Sequence, residues 1–176
     1  MGIAVKWKIE FFEVLVMIKK VEKDSISECV KVICDSFITV ANEFGFTVEN
    51  APRFTAFATT EDRLNWHLQG EHRPMFAFFD DSIIVGYYSL LLQENNECEL
   101  NNLCVLPSHR HKGIGKELLL HAFKVAQELG CTKMNIGIVE ENMVLKKWYE
   151  ALGFVHVGTE KFDFFPFTCG YMKKVL

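Results

Sequence analysis

A short basic loop that contains two glycines is the segment of this sequence best suited to chemistry. It reads, in order, Arg110, His111, Lys112, Gly113, Ile114, Gly115 and Lys116. The loop joins an apolar, strand-like stretch to a strongly amphipathic, helix-like one. Glycine lets the backbone approach an anion closely, and the first N–H groups of a helix have no acceptor within that helix. The helix dipole adds partial positive charge at the same point, so the pattern predicts a phosphate-binding loop.

Two other kinds of phosphate loop do not fit this spacing. A Walker loop requires a glycine five residues before Gly115 and a hydroxyl residue after the lysine, but Arg110 and Glu117 stand there. A dinucleotide-binding turn requires a third small residue where this chain has Leu118. The pattern that remains is Arg-x-x-Gly-x-Gly.

Two carboxylates precede the loop on the same predicted strand. Glu97 and Glu99 are two residues apart, and side chains at that spacing lie on one face of a strand. A carboxylate among apolar neighbours can act as a general base, whereas one on a solvated face more often forms an ion pair. The sequence leaves both interpretations open for Glu99.

A further candidate follows the loop, on a predicted helix that opens at Asn142. Tyr149 lies seven residues later and therefore on the same helical face. Its hydroxyl could donate a proton, or its ring could pack beside Trp148 and Leu152. Asn142 could contact a ligand or act only as the helix N-cap.

The hydrophobic pattern predicts the elements that carry these residues. Three strands in an antiparallel meander are followed by a helix, a strand, a helix and a strand. A helical crossover between two strands requires that these strands be parallel. The predicted strands cover residues 17–21, 75–79, 83–93, 97–105, 133–139, 154–158 and 169–176. The predicted helices cover residues 25–34, 37–44, 60–70, 113–129 and 142–152, and a capping box of Ser25 and Glu28 opens the first.

The loop and its neighbouring segments together resemble the GNAT superfamily, the acetyl-CoA-dependent N-acetyltransferases. Arg110, Gly113 and Gly115 match its Arg/Gln-x-x-Gly-x-Gly/Ala motif, and residues 99–105 match the strand before that motif. Residues 142–154 are similar to its Asn-x-x-Ala-x-x-x-Tyr-x-x-x-Gly-Phe signature.

The resemblance implies an α/β fold, of the α+β type, over residues 17–176. It implies a mixed, mostly antiparallel central sheet of about 6–7 strands flanked by about 4–5 helices. Two neighbouring strands splay apart in this fold and leave a V-shaped gap that holds coenzyme A. Leu145 stands where the family usually has alanine and would narrow the channel for the pantetheine arm.

The resemblance also implies roles for individual residues. Glu99 holds the position of the catalytic base in the histone-acetylating branch, with Glu97 as the second choice, and Tyr149 holds that of the general acid. A backbone N–H near Val105 would polarise the thioester carbonyl. The predicted cofactor-binding residues are Leu103, Cys104, Val105, Arg110, His111, Lys112, Gly113, Ile114, Gly115, Lys116 and Asn142.

The expected function is transfer of an acetyl group from acetyl-CoA to a primary amine of a small molecule. The alternative is a non-catalytic acyl-CoA-binding module that regulates a partner. The formal net charge of −4 argues against nucleic-acid binding. The spacing of histidine and cysteine does not fit a metal site, so we expect no metal.

Composition indicates one compact domain in the cytoplasm. Of the 176 residues 49% are hydrophobic, yet no stretch approaches the length of a membrane span. The six cysteines are scattered singly, which predicts reduced thiols. We interpret residues 1–16 as an N-terminal extension, with a second candidate start at Met17, and residues 17–176 as the domain. The oligomeric state stays open, with a homodimer as one alternative.

Overall fold

A seven-stranded mixed sheet forms the centre of residues 17–176, which are the part of the chain described by this computed structural model. The predicted extension at residues 1–16 lies outside the described residues. The strands are β1 (Ile18–Lys20), β2 (Met75–Asp80), β3 (Ile83–Gln93), β4 (Glu97–Val105), β5 (Lys133–Val139), β6 (Val155–Lys161) and β7 (Thr168–Val175). Their order in the sheet is β1-β2-β3-β4-β5-β7-β6. Neighbours are antiparallel except for β4 and β5, which are parallel.

Helices flank this sheet on both faces. The α-helices are α1 (Ile26–Phe44), α2 (Thr55–Ala58), α3 (Glu61–Asn65), α4 (Ile114–Glu128) and α5 (Met143–Ala151). A π-helical turn, Trp66–Gly70, continues α3. The prediction of a mixed, mostly antiparallel sheet flanked by helices is confirmed. Within residues 17–176, no helix is long and apolar enough to cross a membrane.

The first helix differs from the prediction of two short helices. Residues 26–44 form the single helix α1, which Gly45 ends with a φ of +70°. Inside it, the Thr39 hydroxyl donates to the Ser36 carbonyl at 2.8 Å. The polar residues in the middle of this segment are thus accommodated within the helix and do not break it.

The predicted capping box is also wrong. Ser25 makes no side-chain capping bond, and Glu28 Oε1 accepts a hydrogen bond from the Ile84 N–H at 2.9 Å. Glu28 is therefore used to tie α1 to the start of β3. At α3 the expected cap is present, because the Thr60 hydroxyl accepts from the Arg63 N–H at 3.2 Å. The sequence pattern did not predict α2.

Two buried clusters lie on opposite faces of the sheet. On one face, Leu118 of α4 packs with Leu100 and Met134 of β4 and β5. On the other face, Ile33 of α1 packs with Tyr87 of β3. The central strands are therefore covered on both sides.

The half of the sheet formed by β5, β7 and β6 is open on the α1 side except at the end of β5, where Val139 belongs to a third buried cluster with residues of α1. Met172 of β7 lies in the α4-side cluster, so Tyr171 and Lys173 on either side of it point to the opposite face. Tyr171 is 36% exposed, and Val155 of β6 is 66% exposed. This open face lies next to the edge of β4.

One extra residue in β4 determines which of its side chains reach that face. The register with β3 shifts between Ser89 and Tyr87, and Asn102 at the shift has a φ of +55°. In a regular strand, an even-numbered and an odd-numbered residue point to opposite faces. Because of the extra residue, Leu100 and Val105 both contact the α4-side cluster. Glu99, next to Leu100, points away from that cluster.

Candidate active site

The parallel strands β4 and β5 pair over a short distance and then separate. Their register joins Glu97 to Lys133 and Glu99 to Asn135 at its two ends, and covers three residue pairs in all. Beyond this point, β4 runs on to Val105 without pairing with β5. The V-shaped gap implied by the resemblance is therefore present. Backbone N–H and C=O groups of both strands face it.

The loop after β4 presents unpaired donors at one end of this gap. His111 and Gly113 have left-handed backbone conformations, with φ of +62° and +88°, and Gly113 is the N-cap of α4. In the described chain, no backbone N–H from His111 to Lys116 donates to a protein acceptor. These groups are available to an anion, which is what the sequence predicts for the loop.

Arg110 is held by other parts of the protein. Its Nη2 donates to the Ser36 carbonyl at 2.9 Å and to Thr39 Oγ1 at 3.0 Å, and its Nε donates to the Val105 carbonyl at 3.1 Å. These bonds direct the guanidinium towards α1. The side chain therefore ties the loop to α1 and to the end of β4, a role that the sequence did not predict.

The remaining loop residues differ in what they can offer to a ligand. Lys112, Lys116 and His111 are exposed, so their side chains are free to approach an anion. Ile114 is only 7% exposed and belongs to the α4-side core, so only its backbone can do so.

The residues at the end of β4 likewise contribute backbone. Leu103 and Val105 pack on the α4-side cluster, whereas Cys104 is buried in the α1-side cluster. Their main-chain groups border the gap. Gly115 lies close by, since a Cβ built on it would be 3.8 Å from both Val105 Cγ2 and Trp148 Cζ2.

Tyr149 lies on α5, and Asn142 is the N-cap of that helix. Tyr149 is 6% exposed, and its ring contacts those of Trp148 and Phe154 at 4.9 and 5.3 Å between centroids. Burial raises the pKa of its hydroxyl, so it keeps its proton at neutral pH. Asn142 Oδ1 caps α5 by accepting from the Leu145 N–H at 3.0 Å.

Glu97 and Glu99 occupy the vertex of the gap on the open face. Glu97 accepts from Asn135 Nδ2 at 2.9 Å and from the ammonium groups of Lys173 and Lys133 at 3.1 and 3.2 Å. These partners lower the pKa of Glu97 to about 2. Burial raises the pKa of Glu99, against the smaller lowering effects of Arg73 and Asn101.

A cavity of about 330 Å³ lies on the open face beside Glu99. Gln93 and Asn135 line it next to Glu99, and Tyr171, Lys173 and Val157 line it farther along β7 and β6. The sequence did not single out these residues. The only signal for Gln93 and Asn135 was an amide on a predicted strand, which many solvated strands also carry. In residues 17–176, no group of three or more His, Cys, Asp and Glu could hold a metal ion.

Comparison with known proteins gives a family match over most of the site. The acetyltransferase (GNAT) family matches residues 40–154, which include the gap, the loop and α5. The fold is also similar to the crystal structure of the PaiA N-acetyltransferase from Thermoplasma acidophilum in complex with coenzyme A. The TM-score is 0.77 at 22% identity, over 90% of this chain and 98% of that one.

Curated relatives share parts of the sequence. An aminoglycoside N(6′)-acetyltransferase type 1 from Salmonella typhimurium is 28% identical over 110 residues, 58% of this chain and 74% of the relative. A spermidine N(1)-acetyltransferase from Thermoplasma acidophilum is 34% identical over 86 residues, 49% of this chain and 53% of the relative. Both are named for acetyl transfer to an amine.

Proposed function

The chain belongs to the acetyltransferase (GNAT) family, and we propose that it transfers an acetyl group from acetyl-CoA to a primary amine of a small molecule. The observation that carries this proposal is the position of Glu99. Its carboxylate lies at the vertex of the strand gap and lines the cavity on the open face. A base in this place has the acyl donor on one side and the amine on the other.

The acetyl-CoA half of the proposal is supported by the donors that surround the gap. The N–H groups from His111 to Lys116 would bind the diphosphate, with Lys112 and Lys116 adding positive charge. The backbone of Leu103, Cys104 and Val105 would pair with the pantetheine arm. Gly115 keeps this entrance clear, because no Cβ projects towards Trp148 and Val105.

The burial of Glu99 and of Tyr149, which raises the pKa of both side chains, supports their proposed catalytic roles. Bound acetyl-CoA supplies a thioester whose acyl carbon forms a bond to the amine nitrogen as the C–S bond breaks. Glu99 takes one proton from the ammonium group of the acceptor, which leaves the free amine as the nucleophile. Tyr149 donates a proton to the departing thiolate, and the second proton that the nitrogen loses as the amide forms restores the Tyr149 hydroxyl. A backbone N–H near Val105 stabilises the negative charge on the acyl oxygen.

The size of the cavity and the names of the relatives support a small acceptor. About 330 Å³ lies within the range of small-molecule sites. The curated relatives described above are named for an aminoglycoside and for spermidine. We therefore infer a polyamine, amino sugar or amino acid as the acceptor. All six cysteines are free thiols in the structure, which supports a reducing, cytoplasmic location.

A thermal-shift comparison of acetyl-CoA, coenzyme A, ATP and NAD tests the cofactor half. A ligand at 100 times its Kd adds about 2.7 kcal/mol to the free energy of unfolding. We expect acetyl-CoA and coenzyme A to raise the Tm, and ATP and NAD to have little effect. An amine screen that measures coenzyme A release then tests turnover. Absence of any shift with acetyl-CoA would contradict the assignment of the loop.

A further inference from the structure

A continuous chain of hydrogen bonds joins the two carboxylates of β4 through two side-chain amides. Gln93 Nε2 donates to Glu99 Oε2 at 3.3 Å. Asn135 Nδ2 donates to Gln93 Oε1 at 3.0 Å and to Glu97 Oε2 at 2.9 Å. The chain therefore runs from Glu97 through Asn135 and Gln93 to Glu99, across β3, β4 and β5.

The direction of these bonds is set by the charge at one end. Lys133 and Lys173 keep Glu97 ionised, and an ionised carboxylate can only accept. Asn135 must therefore turn its NH₂ group towards Glu97, and the same group also reaches the Gln93 oxygen. Gln93 is left with its own NH₂ group facing Glu99. An inverted Gln93 amide would place its oxygen against a carboxylate oxygen, which is unfavourable.

We propose that Gln93 and Asn135 are positioning residues, which hold the Glu99 carboxylate in the orientation that receives the proton of the acceptor. The inference rests on the acetyl transfer proposed above. Gln93 donates to Oε2 of Glu99 and so fixes the plane of the carboxylate, and the proton is taken at an acceptor site that Gln93 does not use. A side chain held in this way loses less conformational freedom when the acceptor binds than one that rotates freely.

Other polar and charged groups surround Glu99, and a test must leave them in place. Arg73, which precedes β2, lowers the pKa of Glu99, as does the hydrogen bonding of Asn101. Tyr171 and Lys173 of β7 share its cavity. Gln93 is exposed, so its substitution by the similarly sized Met removes one amide without opening the core.

The experiment compares wild type with Gln93→Met and Asn135→Leu by two readouts. The first is the apparent pKa of the Glu99 side-chain carboxyl, from ¹³C NMR titration with Glu99→Gln to assign the signal. The second is the pH profile of kcat/KM. Gln127→Met on α4 is the matched control, because Gln127 is exposed and α4 covers the face of the sheet opposite to Glu99.

We expect Gln93→Met to raise the apparent pKa of Glu99 by about 0.5 to 1 unit, because a donor to the charged form is lost. The acid limb of the kcat/KM profile should move by the same amount, and kcat should fall severalfold with an unchanged KM for acetyl-CoA. Asn135→Leu should shift the apparent pKa of Glu99 and the acid limb of the kcat/KM profile in the same direction. Unchanged titration in both variants, or an equal shift in Gln127→Met, would overturn the inference. If wild type acetylates no amine, the proposed function fails, while the titration still decides the role of the amides.

Discussion

Glu97 and Glu99 lie on the same face of β4, two residues apart, and their carboxylates have opposite surroundings. Two ammonium groups and an amide surround Glu97 and hold its pKa at about 2. Glu99 has no ammonium group within ion-pair distance in the described structure, and burial raises its pKa. The strand therefore carries one carboxylate that is fixed as an anion and one whose raised pKa lets it take up a proton more readily than Glu97 does.

Replacing Glu99 tests the role of the exchangeable carboxylate. Glu99→Gln keeps the size of the side chain and removes the base, so kcat at pH 7 should fall by about 10²–10⁴-fold. Activity should recover in part at alkaline pH, where more of the acceptor is already a free amine. Steady-state kinetics from pH 6 to about 10 measure this. Glu94→Gln, in the exposed turn before β4, is the control and should behave as wild type. A loss of the same size at every pH would instead favour a role in binding the ammonium group.

Replacing Glu97 tests the fixed anion through stability. A carboxyl whose pKa is lower in the folded state contributes stability above its ordinary pKa of 4.5, and this contribution disappears as pH falls towards about 2. Glu97→Gln should therefore unfold more easily than wild type above pH 4.5. The difference should shrink steadily as the pH falls through this window. Urea unfolding at several pH values checks the trend, and a pH-independent difference would contradict it.

Local patterns in the sequence predicted the elements that border the gap. Gly130 and Gly153 end the two helices after the loop, and strand alternation placed Glu97 and Glu99 on one face. Local patterns could not predict the register of β4 with β5. That register sets Lys133 opposite Glu97 and Asn135 opposite Glu99. It therefore decides which of the two carboxylates forms an ion pair.

Local patterns could not predict the tether of Arg110 for the same reason. Its partners on α1, Ser36 and Thr39, are 74 and 71 residues away in the chain. A basic residue beside a glycine loop predicts an anion contact, because nothing nearby in the sequence competes for it. Tertiary packing supplied two acceptors on α1, and the guanidinium turns towards them.

The bonds of Arg110 predict a loss of stability when its side chain is removed. Arg110→Met loses three hydrogen bonds from a charged donor and should lower the free energy of unfolding by about 2–4 kcal/mol. Arg110→Lys should restore little, because an ammonium group cannot replace the planar fork of donors. Urea unfolding measures both variants. Arg53→Met, which removes an exposed arginine that lies over Phe164, should cost less than about 1 kcal/mol. Full stability in Arg110→Met would show that the tether is not needed.

Tyr149 should affect turnover more than folding. Tyr149→Phe keeps the buried ring and removes the proton donor, so kcat should fall while the thermal shift produced by acetyl-CoA is retained. Tyr88→Phe is the matched control: its hydroxyl lies 2.7 Å from His121 Nδ1, and Tyr88 belongs to β3, on the side of β4 that does not face the gap. That variant should lose about 1 kcal/mol of stability with kcat close to wild type. Equal kcat values for Tyr149→Phe and wild type would exclude Tyr149 as the acid.

One glycine stands at each end of α4, and a comparison of their alanine variants distinguishes backbone strain from an effect on ligand binding. Gly113 and Gly130 have φ of +88° and +83°, and a Cβ at either position meets no atom closer than 3.9 Å. Alanine in the conformation of either glycine is strained by about 1–2 kcal/mol, so Gly130→Ala should lose about this much stability and Gly113→Ala less. At Gly113 the loop can relieve this strain only by leaving the conformation that directs its N–H groups at the gap. Because this conformation must be restored when acetyl-CoA binds, the Kd for acetyl-CoA should rise by about tenfold, since 1.4 kcal/mol corresponds to a factor of ten.

Isothermal titration calorimetry with acetyl-CoA should show this increase for Gly113→Ala and an unchanged Kd for Gly130→Ala. Equal affinities in the two variants would mean that the loop does not hold the phosphates.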